Sequence, residues 1–309
     1  LANAPVFSVV IPAHNAASYI HESISSIRDQ TFPDFELIII DDGSTDHTAE
    51  IIRAHEQDDG RIAFFSKPHR GVAATRNEGV QLAAGRYVAF HDADDVAEPK
   101  RLELQHEYLE RHPGCVALGG QLLFMDADGD PLYVSAFPTD HRDIDAAHMA
   151  GGGCVLLQGT SALLRQSVLE VGGYREQYPV AEDLDLVLRL AEVGGCANLT
   201  DVLIRYRLHP ESLTHTHLPG GHEWAERAIM EARRRRGLPG SPIELPRARS
   251  RSTPTEWLHR AMKARDSGYD PTARKYARRA LIEAPFNPTA WKVWLIVHTS
   301  KLRRRLKGN

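Results

Sequence analysis

Apolar residues in the first half of the chain fall in short, unbroken runs. Phe7-Ser8-Val9-Val10-Ile11 is ended by Pro12. Further runs lie at residues 35–40, 62–65 and 87–90. Unbroken runs of this length predict strands covered on both sides, as in parallel sheets, rather than half-exposed alternating ones. Helical spacing separates them. Ile20, Ile24 and Ile27 share one face, a second helix opens near Ser44 to Asp46 with Ile51 and Ile52 inside it, and residues 71–84 read as a third. This βαβα order predicts an α/β protein with a mostly parallel sheet and helices on both faces.

The pattern becomes mixed after residue 115. Residues 116–118 and 121–125 are strand-like, with a turn at 126–130, and residues 138–153 are polar, then glycine-rich, and read as a loop. Helical spacing returns from Asp183 with Leu184, Val187, Leu188 and Ala191, and 202–207 reads as a last strand. Arg233-Arg234-Arg235-Arg236 marks a shift in composition. The expected organisation is a domain over 1–236, a Pro-, Ser- and Arg-rich linker over 237–254, and an all-α extension over 255–309. Within the extension two helices are expected at 255–267 and 271–284, with Gly268 between them and Pro285 after them. A third starts at Pro288 and runs into the basic stretch 301–307.

Composition narrows the classes. The 309 residues are 42% hydrophobic and 25% charged, which suits one large domain and a smaller piece. A net charge of -4 argues against a nucleic-acid partner. Cys115, Cys154 and Cys196 form no C-x-x-C pair, so a reducing, cytoplasmic location is expected and a structural zinc is not. No apolar run is long enough to span a membrane, and the first residues, from Leu1, do not read as a leader.

The chemistry is concentrated at predicted strand ends, the edge at which open α/β sheets bind ligands. Pro12-Ala13-His14-Asn15 follows the first strand, Asp41-Asp42-Gly43-Ser44 the second, and Asp92-Ala93-Asp94-Asp95 the fourth. Glu182-Asp183 opens the long helix. Crowded carboxylates repel one another unless a cation sits among them, and Mg²⁺ and Mn²⁺ take oxygen ligands together with phosphates. The competing readings are local. Asp-Gly favours turns, Asp46 and Asp183 suit helix starts, Arg76 suits a surface ion pair, and the acids at 92–95 suit a polar loop before the helix near Pro99.

Residues 8–15, Ile40-Asp41-Asp42-Gly43-Ser44-Thr45-Asp46, Ala74-Thr75-Arg76-Asn77, Asp92-Ala93-Asp94-Asp95 and Ala181-Glu182-Asp183-Leu184-Asp185 together resemble the inverting glycosyltransferases of family 2. The resemblance runs from about Ser8 to Leu213, two thirds of the chain. It implies a GT-A (Rossmann-like) fold, a UDP-sugar donor and Mn²⁺ or Mg²⁺. By that resemblance Pro12, Ala13, His14 and Asn15 line the nucleotide, with His14 standing where the family more often has Tyr. Asp42 meets the uracil, Arg76 approaches the base, and Asp92 with Ala93 lies by the ribose. Asp94 or Asp95 holds the metal, and Asp183 is the catalytic base. Gly159 and Thr160 fall in the acceptor region beside Glu182. Arg207 and His209 fall near the diphosphate, with His209 a further metal candidate.

The expected acceptor is a glycan, a lipid-linked glycan or a protein. Residues 255–290 resemble one helix-turn-helix repeat of the tetratricopeptide kind, and a single repeat needs something to cover its open face. That cover is its own domain or a protein partner. Residues 288–309 combine Trp291, Trp294, Leu295, Leu302 and Leu306 with basic residues. They read either as a core-packing helix with a solvated tail or as a peripheral contact with an anionic membrane face. His215-Thr216-His217 reads as loop. Two rival functions remain at this stage. A sugar-phosphate nucleotidyltransferase would need glycines after the first strand, which Pro12-Ala13-His14-Asn15 lacks. A catalytically degenerate scaffold acting through the helical tail would not need the complete acid set.

Overall fold

The computed structural model describes residues 4–209, 221–239 and 253–306, with side chains described through 299. Glu211, Ser212, His215, Thr216, His217, most of the expected linker and the side chains of the basic stretch lie outside the described residues.

The chain begins with β1 (Phe7–Ala13), α1 (Ile20–Arg28), β2 (Phe35–Asp42), α2 (Thr48–Asp58), β3 (Ile62–Lys67), α3 (Val72–Leu82) and β4 (Tyr87–Phe90). These are the predicted alternating elements. β1 pairs in parallel with β2 and β4, and β2 with β3. The remaining elements of this part are β5 (Val96–Ala97), α4 (Arg101–Arg111), β6 (Cys115–Asp126), β7 (Pro131–Val134), α5 (His141–Met149), β8 (Ala162–Leu164), α6 (Arg165–Glu170), α7 (Glu182–Leu190), β9 (Gly195–Leu208) and α8 (Gly221–Arg235). Among the described residues the sheet order is β3-β2-β1-β4-β8-β6-β9-β5, with β7 on β6. β8 runs antiparallel to both β4 and β6, so β4 and β6 point the same way.

The pleat splits β1 between two cores. Phe7, Val9 and Ile11 join Leu37, Ile39 and Ala89 under Ile20, Ile24 and Ile27 of α1 and Leu102 of α4. Val10 joins Ile38, Ile40, Val88 and Phe90 under Val80 of α3 and Leu186, Val187 and Leu190 of α7. Burying each such side chain contributes about 1.5–3 kcal/mol, which fixes register because a one-residue slip would exchange the faces. Pro12 is tolerated in this central strand for a local reason. Val10 accepts a hydrogen bond from His91 N at 3.0 Å. Pro12, two residues on, points the same way, but β4 has ended at Phe90, opposite Val10. The missing N–H leaves no ladder bond unmade.

Two expectations need correction. Residues 138–153 are not all loop: α5 occupies His141–Met149, with Asp140 accepting from Asp143 N at 3.1 Å as its cap. Its apolar stripe is short, Ile144 with a buried His148, too little to register as periodicity. The segments at 116–118 and 121–125 are one strand, β6. Gly119-Gly120 looked like a break, but both are needed by close neighbours. A Cβ at Gly119 would collide with Asn198 Oδ1, and one at Gly120 would lie 2.6 Å from Leu203 Cδ1.

The chain separates into two compact units, and the second joins Leu123–Ser135 and Arg207–His209 to the helices α9 (Thr253–Asp266), α10 (Asp270–Glu283) and α11 (Pro288–Leu306). Small residues, Ala261 and Ala264 of α9 with Ala273, Ala277 and Ala280 of α10, let those helices meet closely. Leu132 of β7 is buried among them, so the hairpin of β6 and β7 covers part of the face that a lone repeat would leave open. Lys275 Nζ of α10 lies 2.7 Å from each of Asp126, Asp128 and Asp130 in the hairpin turn. Partial burial opposes its charge, yet the carboxylates outweigh burial and raise the ammonium pKa. Three acids in one turn are thus held by an internal cation.

His148 yields a pH prediction. Burial first, then Arg236, lowers its pKa from 6.5 to about 4 against the pull of Asp145. Its Nε2 accepts from Val155 N at 3.0 Å, so the ring is neutral. Below pH 6.5 the unfolded chain takes up a proton that the folded chain refuses. Stability from this group is therefore lost as pH falls from 6.5 to about 4, by about 3 kcal/mol in total. The urea midpoint of His148→Gln should fall less steeply than wild type across that window. Parallel curves would show that His148 is not the source.

Candidate active site

Because β1, β2 and β4 are parallel, their following residues emerge at one edge of the sheet. The first two loops are laced together there. Asn15 takes the left-handed conformation (φ 50°), which Asn tolerates better than most residues. Its N–H donates to Ser44 Oγ at 2.9 Å and its Oδ1 accepts from Thr45 N at 2.8 Å. His14 Nδ1 donates to Asp42 O at 2.8 Å, and its ring lies 4.4 Å from that of His69. Pro12 and Ala13 pair with Ile40 and Asp41 inside the sheet.

Asp42 is buried and already well used. It accepts from Arg70 N at 2.7 Å and Gly71 N at 2.9 Å, and His69 Nδ1 is 2.9 Å from Oδ2. The carboxylate thus ties the end of β2 to the residues that start α3. Asp41 supports the same turn, accepting from Ser44 N at 3.1 Å and Ser66 Oγ at 3.2 Å. Gly43 is required, since it has φ 73° and a Cβ there would lie 2.7 Å from His69 N.

α3 carries Arg76 inward to the acids. Its guanidinium donates to Glu182 Oε1 at 2.7 Å and Asp92 Oδ1 at 3.2 Å, with Tyr174 beside it. The surface ion pair weighed from sequence is instead a buried one, with only 8% of the Arg76 side chain accessible. Burial disfavours its charge, but Asp92 and Glu182 outweigh that and raise its pKa. The Glu182 pKa is pushed up to about 7, by burial first and then by Asp183, against the pull of Arg76.

Asp92 is pushed up by burial first, then by Asp94 and Asp183, while Arg76 draws it down. The acids of two distant sequence regions therefore share one neighbourhood with Arg76. Asp183 lies in the first turn of α7 and accepts from Leu184 N at 2.7 Å. Ala181, just before this turn, is left-handed (φ 64°), a conformation costly for alanine. Such strain is characteristic of functional sites, and here it sets the direction in which Glu182 and Asp183 leave the loop. Cys154 lies close to Asp183, and burial followed by that carboxylate raises its thiol well above the ordinary range, which disfavours the thiolate.

Gly159 and Thr160 have internal tasks. A Cβ at Gly159 would sit 3.0 Å from Asp92 Oδ2 and 3.3 Å from Asp95 Oδ2, so glycine keeps space for these acids. Thr160 is fully buried, its hydroxyl donating to Leu157 O at 2.9 Å. Ala93 is buried between the acids, and Asp95 N donates back to Asp92 O at 3.2 Å. Arg207 and His209 belong to the second unit, where both are buried and Arg207 donates to Ala127 O at 3.2 Å.

The same arrangement tests whether a divalent cation suits these residues. Mutual repulsion of Asp92 and Asp94 would be relieved by a cation, and the donors are hard oxygens. Among the described residues no three ligand side chains surround one point. The protein alone thus offers an incomplete set, as at Mg²⁺ and Mn²⁺ sites completed by phosphate oxygens and water. The residues fit that group.

Three contributors had no sequence signal. Tyr174 and His69 lie in segments without a pattern. Arg101 looked like an ordinary first-turn residue of α4. It is fully buried and donates to Phe90 O at 2.7 Å and His91 Nδ1 at 3.1 Å, holding the end of β4 from which Asp92 follows. A cavity of about 370 Å³ lies away from all of this, near the starts of β6 and β9, beside Cys115 and Cys196.

Residues 8–173 match the sequence pattern of glycosyl transferase family 2. An uncharacterized glycosyltransferase of Haemophilus influenzae is 31% identical over 240 residues, 74% of this chain and 73% of that protein. TuaG of Bacillus subtilis, which carries the name of a teichuronic acid biosynthesis glycosyltransferase, is 40% identical over 129 residues, covering 41% of this chain and 51% of its own length. Among solved structures, S. aureus TarS 1-349 in complex with UDP-GlcNAc aligns with TM-score 0.58 at 17% identity, covering 89% of this chain and 80% of that one. The mannosyltransferase PcManGT of Pyrobaculum calidifontis, in complex with GDP-Man and Mn²⁺, aligns with TM-score 0.56 at 17% identity, covering 97% and 81%. The fold is GT-A, and the chain belongs to glycosyl transferase family 2. It is an enzyme, a glycosyltransferase.

The Arg76 contacts predict a large mutational effect. Arg76→Met would strand the buried Glu182 and the half-buried Asp92, and breaking a buried pair costs about 3–5 kcal/mol. Urea unfolding should register that loss, and the double variant Arg76→Met, Glu182→Leu should recover much of it. A single-variant loss below about 1 kcal/mol would place the pair at a solvated surface instead.

Proposed function

We propose that this glycosyltransferase moves a sugar from a UDP-sugar to an acceptor hydroxyl in a single inverting displacement, in glycan or polysaccharide synthesis. The carrying observation is that Arg76 draws Asp92 and Glu182 together beside Asp183 at the carboxyl edge of the parallel strands. TuaG's name supports the polysaccharide context, and the bound UDP-GlcNAc of the TarS structure supports a UDP-sugar.

Pro12, Ala13, His14, Asn15 and Asp42 are assigned to the nucleotide. Asp42 Oδ2 is taken by Gly71 N and His69 Nδ1, but Oδ1 spends one bond on Arg70 N and keeps acceptor capacity for the uracil N–H. Arg76 keeps the pocket wall in place next to the base, and Asp92 with Ala93 faces the ribose. Mn²⁺ or Mg²⁺ held by Asp94, with Asp95 as a further ligand, would neutralise charge on the departing diphosphate, a use supported by the Mn²⁺ of the PcManGT complex. Asp183 takes the proton from the acceptor hydroxyl as its oxygen attacks the anomeric carbon. Glu182, held by Arg76, fixes the first turn of α7 so that Asp183 faces the acceptor, with Gly159 and Thr160 forming the wall beneath. The acceptor is a glycan hydroxyl, on a lipid-linked or protein-bound chain.

General-base assistance contributes about 10²–10⁴-fold. Asp183→Asn should lose turnover on that order while calorimetry with UDP-sugar and Mn²⁺ still finds donor binding. Transfer at the wild-type rate by this variant would remove Asp183 from the role. Glu182 supplies a pH signature, because its ionisation near 7 adds negative charge beside Asp183 and strengthens it as a base. Turnover should rise with pH through about 7 in the wild type, and Glu182→Gln should lose that limb. An unchanged profile in the variant would assign the limb elsewhere.

A further inference from the structure

α11 has two apolar faces. Ala290, Val293 and Val297 are buried against α9 and α10. Trp291 and Leu295, one turn apart, point outward with 50% and 53% of their surface accessible. Two turns beyond Leu295, after His298 and Thr299, Leu302 and then Leu306 fall at helical spacing in the sequence. A helix needs one apolar face to pack on its own unit, and the second has no such purpose here. The patch extends beyond α11. The Trp291 indole donates to Pro285 O at 2.8 Å, which sets the ring against the turn carrying Phe286. Phe286 is 97% exposed, and Ile282, one turn before it on α10, is 70% exposed.

Charge decides what could cover this face. Residues 288–309 contain Lys292, Lys301, Arg303, Arg304, Arg305 and Lys307 and no acidic residue. The whole chain is at -4, so with these six set aside the rest carries -10. Five of the six follow Ser300 in the sequence, after the outward pair Trp291 and Leu295. Aromatic and aliphatic side chains on a helix flanked by Lys and Arg match a lipid surface with anionic headgroups. Trp is also suited to the interfacial layer, with its ring among acyl chains and its N–H satisfied. Among the described residues no helix is long and apolar enough to cross a membrane, so contact would be made by a face lying on the surface.

We propose that the outward face of α11, extended by Ile282 and Phe286, docks this protein on a membrane surface rich in anionic lipid. The apolar side chains enter the headgroup layer, and the basic residues hold the helix to phosphate. This surface shares no residue with the proposed donor site and does not rest on the assignment of any catalytic group.

The full chain should sediment with phosphatidylcholine vesicles that contain phosphatidylglycerol and remain in solution with phosphatidylcholine alone. Tryptophan emission should shift to the blue on binding. Ile282, Phe286 and Leu295 are exposed, so the triple variant Ile282→Ser, Phe286→Ser, Leu295→Ser should keep its circular dichroism and melting midpoint. It should nevertheless lose at least about tenfold in partitioning. Arg303→Gln, Arg304→Gln, Arg305→Gln should lose about fivefold per residue at low salt. Equal partitioning to neutral and anionic vesicles, or unchanged binding by the triple serine variant, would overturn the proposal. So would retention on heparin without any vesicle binding, which would point to a soluble polyanion or acidic protein.

Discussion

The site depends on one buried guanidinium. Arg76 is taken out of water and pairs with two carboxylates from distant parts of the chain, the half-buried Asp92 after β4 and the buried Glu182 at the start of α7. Neither acid could be held ionised beside Asp183 and Asp94 without it, because desolvation and like-charge repulsion already push Glu182 and Asp92 toward the protonated form. Arginine suits the task since its planar fork can serve two acids at once and its charge survives burial. The ion pair is therefore best understood as geometric. It brings together a strand end and a helix start that have no covalent reason to meet, at the edge where the parallel strands deliver their loops.

The rest of the fold gives that contact its rigidity. α3, which carries Arg76, is held at its start by Asp42 through the backbone of Arg70 and Gly71, and along its length by Val80 in the second core. Arg101 holds the end of β4 from the other face, reaching Phe90 O and His91. Gly159 then sets how closely Asp92 and Asp95 approach. α3 and β4 thus reach these carboxylates each anchored by a polar group buried with a partner, where an unsatisfied one would be costly. The left-handed Ala181 shows that some strain is accepted at the same place.

The second unit solves a different problem with related means. Its three helices gain a cover from a β-hairpin, and the three acids of the hairpin turn are held by the ammonium of Lys275. An acidic loop of this kind reads in sequence as a turn. Only the arrival of α10, nearly 150 residues later in the chain, shows that its charge is satisfied from within.

The sequence alone determined the α/β pattern, the strand ends that carry the acids and the three C-terminal helices, because apolar period and turn chemistry are local properties. It also carried the family likeness, since the acids and Arg76 stand at recognisable spacings. It did not disclose α5, whose buried stripe is too short to show a period, or that Gly119 and Gly120 lie inside a strand, because their reason is the approach of Asn198 and Leu203. It left a surface ion pair open for Arg76 beside its place near the base, and gave Arg101, Tyr174 and His69 no role. Burial and pairing depend on which distant segments come together, so the charge balance among Arg76, Asp92, Glu182 and Asp183 exists only in the folded chain.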